Sequence, residues 1–430
     1  MSMDKNDCKY KKYIELLKKE LVPAMGCTEP IAIAYGAAKA REVLGGLPTH
    51  TKIAVSRNIV KNVKSVVIPN TNGLKGIDAA AAAGIVAGEA DKELEVISAV
   101  PEDKKGEIKE YLEANSIEVE TEEGDLLFDI QIEMCKGEEQ VKLRITRSHT
   151  NIVYIEKNGK VLLESSCGEA KEKEDGVDLL TVKDIVDFAE CADLEDLAAY
   201  IEPQIQCNYA IAREGIRGTY GANIGKVLLN SQENTVQNRA KAMAAAGSDA
   251  RMSGCELPVV ILTGSGNQGI AAAVPVIVYG EEMGSSREEL IRAVAVSDLI
   301  TIHQRSRIGK LSAYCGAVNA GCASGAGIAY LQGGRFPEIA HTIVNSLAVV
   351  SGMICDGAKP SCAAKIAISV EAGILGYLMY QQGQEFRGGD GIVTKGVDET
   401  IYNVGQLGKD GMRETDKKIV DIMMGCVSKE

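Results

Sequence analysis

The sequence has no tryptophan and only 4 phenylalanines in 430 residues. A core without aromatic anchors must close by other means, and 45 glycines with many alanines point to helices packed closely on small residues. Basic charge is also scarce, with 47 Lys plus Arg against 60 Asp plus Glu and a net charge of -13. That balance argues against nucleic acid or an anionic membrane as partner and favours a small substrate. The 12 cysteines include no pair at the C-x(2-4)-C spacing that zinc sites normally use. The opening MSMDKNDCKYKKYIELLKKE is charged and amphipathic rather than a leader, so the expected compartment is the cytoplasm. In that setting cysteines serve as metal ligands or free thiols, not as a disulfide framework. The apolar runs VPVIVYG and ISVEAGILGYLMY read as too short for the ~20 residues of a membrane span.

The length allows two or three domains. Tyr10, Tyr13, Ile14, Leu17 and Leu21 recur at helical spacing and predict a helix over about Lys5 to Leu21. Gly26 to Pro30 then forms a turn into a second helix, with Thr28 as N-cap and Cys27 beside it. Amides and the dipole at a helix N-terminus favour a thiolate, which makes Cys27 a candidate base or nucleophile. Residues 51–68 are β-branched and broken by polar pairs, predicting two strands with a turn. The loop Pro69-Asn70-Thr71-Asn72-Gly73 feeds an Ala-rich helix, a setting suited to a carboxylate.

From Leu94 the pattern changes. LEVISAV reads as a strand, PEDKKGEIKEYLEANS as a charged helix, and IEVETEE, LFDIQIEM, QVKLRITR, TNIVYIE and KVLLESS as strands. Between two of these lies the polar run Arg147-Ser148-His149-Thr150-Asn151, which holds one of only 4 histidines. KEKEDG at 171–176 reads as a linker, after which the chain is helical, with glycine-rich breaks at 213–225, 245–254 and 263–280. The last break places Ser265 and Asn267 before an apolar helix, much as PNTNG does earlier. GSGNQG satisfies G-x-G-x-x-G at Gly264, Gly266 and Gly269, but the chain beyond it is helical, with no second strand to carry the acid of a dinucleotide site. The fold class is therefore α+β: a mainly helical catalytic domain rich in Gly/Ala helices, with a small α+β module in the N-terminal half. The expected division is 1–92, 93–170 and 171–430.

Four cysteines stand in two seven-residue spacings, Cys315 with Cys322 and Cys355 with Cys362. Seven residues return a side chain to nearly the same helix face, so Cys315 and Cys322 could share a ligand. Pro360 and Gly357 make CDGAKPSC a loop suited to wrapping a cluster, and wide spacing favours iron-sulfur over zinc. Cys8, Cys135, Cys167, Cys191, Cys255 and Cys426 read as ordinary small buried hydrophobes.

Taken together, MGCTEP, PNTNG, SGNQGIAAAVPV, AYCGAVNAG and CDGAKPSC resemble the L-cysteine desulfidases, in order and over nearly the whole chain. The stretch from about Pro258 to Lys365 is also similar to the α domain of iron-sulfur L-serine dehydratases, although the final cysteine pair is closer together here. The resemblance implies a [4Fe-4S] cluster held by Cys315, Cys355 and Cys362, with Cys27 as proton acceptor. Cys322 falls outside that set and becomes a packing residue. Three protein ligands leave one iron open as a Lewis acid for the β-thiolate of substrate cysteine. Asn72, Ser148, His149, Thr150, Ser265 and Asn267 are then the candidates for gripping the carboxylate and amine. The expected partner is a small amino acid, L-cysteine or L-serine, with a homodimer left open. The rival readings are an L-serine dehydratase, a non-catalytic cysteine-binding sensor signalling through the α+β module, and a pyridoxal phosphate enzyme.

Overall fold

Tyr10, Tyr13, Leu16 and Leu17 bury one face of the first helix, α1 (Cys8–Glu20), whose N-cap Asp7 accepts from the Lys9 N–H. The computed structural model describes residues 3, 5–122, 124, 126–165, 176–309 and 312–425, so Cys167, Cys426 and most of the 171–176 segment lie outside the described residues. After α1 come β1 (Val22–Met25), α2 (Thr28–Leu44), β2 (His50–Ser56), α3 (Arg57–Val63), α4 (Ile77–Ala87) and α5 (Glu102–Ala114). Next are five strands: β3 (Ser116–Glu122), β4 (Asp129–Lys136), β5 (Glu139–Thr146), β6 (Ile152–Lys157) and β7 (Lys160–Glu164). The remainder is α6 (Val182–Cys191), α7 (Leu194–Arg217), α8 (Ile224–Ser231), α9 (Val236–Met252), β8 (Pro258–Ile261), α10 (Gly266–Met283) and α11 (Arg287–Ile308). It closes with α12 (Gly316–Leu331), α13 (Phe336–Val350), α14 (Ser361–Gln381), α15 (Val397–Gln406) and α16 (Arg413–Met424).

The architecture is mixed α+β, with helices in the majority. Strands β4, β5 and β6 form where the sequence alternates, because period-2 burial gives each one core face, whereas the edge strands β3 and β7 are largely exposed on both faces. The six-stranded sheet runs β3-β2-β4-β5-β6-β7, and β2 pairs parallel with β3 and antiparallel with β4. It therefore takes an inner strand from ahead of residue 93, and α2 packs on β4 and β5.

Four local expectations are corrected. Residues 51–68 hold one strand, not two: Ile59 with Val63 and Asn58 with Asn62 repeat every four residues, and all four are buried on α3. LEVISAV is not a strand but a 3₁₀ turn (Ala90–Glu95) running into a further turn, since Val96 and Ile97 are consecutive and both buried, which a half-buried strand does not allow. No break opens at 245–252, because α9 continues through Met252 on a run of buried alanines. Finally, ISVEAGILGYLMY belongs to the 21-residue α14, which by length and composition is enough to cross a membrane. In the fold that helix packs on α9, α12 and α13.

Small residues set the helix spacing as the composition implied. A Cβ on Gly325 would lie 2.3 Å from the Gly373 carbonyl oxygen, so α12 and α14 cross at a distance that only glycine permits. Helices α10, α11, α13 and α14 surround α12 and bury it on almost every face. The two halves of the chain are joined by the antiparallel pair β1–β8, in which Val22 faces Ile261 and Met25 faces Pro258. Among the described residues β8 pairs only with β1, antiparallel, so no parallel βαβ unit starts there.

Candidate active site

Three of the four candidate thiols, Cys27, Cys315 and Cys362, sit where a helix begins. Cys27 is itself the N-cap of α2, not Thr28, with extended backbone and no side-chain cap bond. The Thr28 hydroxyl is used instead to donate to the Gly264 carbonyl at 2.9 Å, which locks the turn against the loop before α10. Cys27 donates its S–H to Glu29 Oε2 at 3.3 Å, and Asn62 on α3 donates to Glu29 Oε1 at 3.1 Å. The expected thiolate is corrected by this geometry: burial, then the Glu29 carboxylate, push the Cys27 thiol well up, and Arg251 only partly opposes them. The helix dipole is a smaller effect than desolvation of a 2 % exposed sulfur.

Cys315 is the N-cap of α12, and Cys362 lies in the first turn of α14. Cys355 is in the loop between α13 and α14. A reciprocal backbone pair brings the two segments together: Cys315 N–H donates to Met353 O at 3.0 Å, and Cys355 N–H donates to Ala313 O at 2.6 Å. Gly357 lets the loop lie flat on α3, because it has φ +91° and a Cβ there would be 2.1 Å from Lys61 O. Cys315, Cys355 and Cys362 then line one pocket with Cys27. Cys322, two turns further along α12, does not line it and is buried in the core near the Ser346 hydroxyl.

Of the polar candidates, Ser265 and Asn267 line the pocket at the N-terminus of α10. Asn72 is exposed on a turn at φ +54°, and it is Asn70 that is buried, holding the Ile97 carbonyl. Ser148, His149 and Thr150 are half-buried and do not line the pocket. His149 packs edge-on against Phe128, 5.0 Å between ring centres, and supports the site from behind: a Cβ on Gly264 would lie 3.3 Å from its Cε1.

Sequence reasoning gave no site role to several lining residues, among them Glu29, Lys61, Asn62, Arg251 and Arg305. Lys61 is accounted for by its ion pair with Asp416, 2.6 Å, which ties α3 to α16. Arg305 stands beside Cys315 and Cys355, and burial lowers its pKa while those thiols counter the effect. The signal available for it was a pair of arginines at the end of an otherwise apolar helix run, HQRSRI.

A metal-sulfur cluster fits this donor set. Burial and the adjacent Cys355 and Cys362 push Cys315 up to about 12, so this thiol ionises poorly without a cationic partner. Among the described residues no three His, Cys, Asp or Glu side chains close on a single ion. That is compatible with a cluster, in which each cysteine binds a different iron.

Residues 91–421 match the family described as "Serine dehydratase alpha chain". The chain belongs to that family. It is also 58% identical to the UPF0597 protein of Desulfitobacterium hafniense over 100% of both chains. The UPF0597 proteins of Lachnoclostridium phytofermentans and Finegoldia magna are 48% and 46% identical, each over 96% of this chain and 100% and 99% of their own. The family stretch contains all three pocket cysteines of the α12–α14 region and leaves Cys27 outside it.

Proposed function

We propose that the chain is a β-eliminating lyase that converts L-cysteine to pyruvate, ammonia and sulfide. The observation that carries this reading is the convergence of Cys315, Cys355 and Cys362 on the pocket that also holds Cys27 and Glu29. A [4Fe-4S] cluster held by those three cysteines would supply a Lewis-acidic iron for departure of the β-substituent.

The chain's own groups handle the protons. Glu29 Oε2, already accepting from the Cys27 S–H and fixed by Asn62, receives that proton in concert with the arrival of the Cα proton at sulfur, so no free thiolate is needed. The Cys27 sulfur takes the Cα proton, and the Cα electron pair forms the Cα–Cβ double bond as the Cβ–S bond breaks. The aminoacrylate so formed tautomerises to an imine, which water hydrolyses to pyruvate and ammonia. The buried Arg305 beside Cys315 and Cys355 offsets their negative charge.

The family description favours a second substrate, L-serine, with hydroxide as the leaving group. Anaerobic reconstitution with iron and sulfide, then parallel assays with both amino acids, separates the two. Sulfide and pyruvate in equal amounts from L-cysteine are expected, with about four irons and four acid-labile sulfides per chain, the stoichiometry of such a cluster. Pyruvate from L-serine alone would select the second reading, and binding without turnover would remove both.

A further inference from the structure

Two arginines in the pocket wall differ from the lysines around it. Lys61 is paired with Asp416 and Lys365 with Asp356. Arg251 is 2 % exposed with an unpartnered Nε, and Arg305 is 8 % exposed with unpartnered Nε and Nη1. A buried guanidinium with donors that lack an acceptor is unfavourable, so the site has room for negative charge. Arg305 stands beside Cys315 and Cys355, which meet that need when they ionise. Arg251 has Cys27 in similar reach, a thiol that burial and the Glu29 carboxylate hold protonated. Asp249, two residues before it, accepts from the Ala222 and Ile224 N–H groups, and Glu29 is engaged by Asn62 and Cys27.

The guanidinium of Arg251 also lies against the start of the 18-residue α10. A Cβ on Gly266 would fall 2.2 Å from its Nε and 2.8 Å from its Cζ, so glycine at this position is what lets the side chain pass. An anion in front of Arg251 would meet a charged donor, the free amides of a helix N-terminus and the Asn267 side chain at once. Asn267 Oδ1 is buried and unpartnered, an acceptor suited to an ammonium group. Cys27 is within Coulombic reach of Arg251. We infer that Arg251 anchors the α-carboxylate of an amino-acid substrate, with Asn267 Oδ1 receiving its ammonium, which turns the side chain toward the cysteine wall. This rests on the lyase reading for the chemistry but not for the binding, and it restricts substrates to free α-amino acids. Amines without the carboxylate, and peptides in which the carboxylate is masked, are excluded.

The test is titration calorimetry of the full chain, metal-free and reconstituted, with L-serine and with ethanolamine, which lacks the carboxylate. The wild type should prefer L-serine by about 10–100-fold, the range a charge-assisted pair supplies. Arg251→Gln should lose that preference by weakening L-serine alone, and Arg251→Lys should recover part of it. In turnover the same variants should raise KM more than they lower kcat. Removing an unpartnered buried charge should leave the melting temperature unchanged or higher. A retained preference in Arg251→Gln, an equal loss for both ligands, a lower melting temperature, or no preference in the wild type would each overturn the anchor. A wild type that prefers L-serine yet forms no pyruvate from L-serine or L-cysteine keeps the anchor and sinks the lyase reading.

Discussion

The pocket has two walls built by different means. One is the cysteine wall, assembled within the family's matched stretch from the start of α12, the 353–355 strand-like bridge and the start of α14, with Arg305 behind it. The other is the proton wall, assembled from segments far apart in the sequence: Cys27 and Glu29 at the start of α2, Asn62 on α3 and Arg251 on α9. Each buries a thiol, Cys27 on one and Cys315 on the other, and raises its pKa, so burial alone does not distinguish them. Their neighbours do. Cys315 meets two more thiols and Arg305, the donor set we propose for metal, whereas Cys27 meets Arg251 and one carboxylate, the partner we propose for exchange of a proton.

Breaking the cysteine wall should have the largest effect. Cys315→Ala, Cys355→Ala or Cys362→Ala should abolish both bound iron and turnover, read as loss of acid-labile sulfide and of visible absorbance after anaerobic reconstitution. Cys27→Ala separates the walls: iron content should stay at the wild-type level while kcat falls about 10²–10⁴-fold, the usual contribution of a positioned acid-base group. Full activity in that variant would remove Cys27 from the chemistry. Glu29→Gln should keep the cluster and reduce kcat by a smaller factor, on the order of 10². Since the Glu29 carboxylate raises the Cys27 proton affinity, its neutral replacement should lower the pKa of that thiol. The pH profile of alkylation in the metal-free protein, compared with Cys27→Ala to isolate this sulfur, should then move to lower pH.

The two walls were not equally legible in the sequence. Cys315, Cys322, Cys355 and Cys362 stood out because glycine, serine and proline punctuate the helices around them, but only the family resemblance, not the spacing, set Cys322 apart. The Cys27 turn was visible for the same reason, and strands β4 to β6 because alternation needs only near neighbours. The second strand of 51–68 failed because β-branched residues were allowed to outweigh a period of four. Glu29, Arg251 and Arg305 were not readable as site residues. A single charge in a helix says nothing about its burial until the helices opposite it are placed, and Arg251 reaches the pocket only past Gly266, which lies in the next glycine-rich segment. The polar loops divided for a similar reason: Ser265 and Asn267 lead from β8 directly into the pocket, whereas Asn72 sits on the outer side of its turn.

Cys322 gives the smallest effect and the finest test, because it shares α12 with Cys315 and is likewise pushed up to about 12 by burial. Its surroundings are the core and the Ser346 hydroxyl, so Cys322→Ala should leave iron content and turnover intact and reduce stability by about 1 kcal/mol through the small cavity. The raised pKa sets the sign of its pH dependence. An ordinary thiol ionises near 9.0, so above that pH the unfolded chain has lost a proton that the folded chain still holds. The stability contributed by the neutral buried thiol is therefore complete below pH 9 and fades as pH rises toward 12. Urea unfolding of the metal-free protein should show stability falling more steeply above pH 9 in the wild type than in Cys322→Ala, with a difference of about 1 kcal/mol per pH unit. Equal slopes would mean that Cys322 meets water or a cation that the packing around it does not contain.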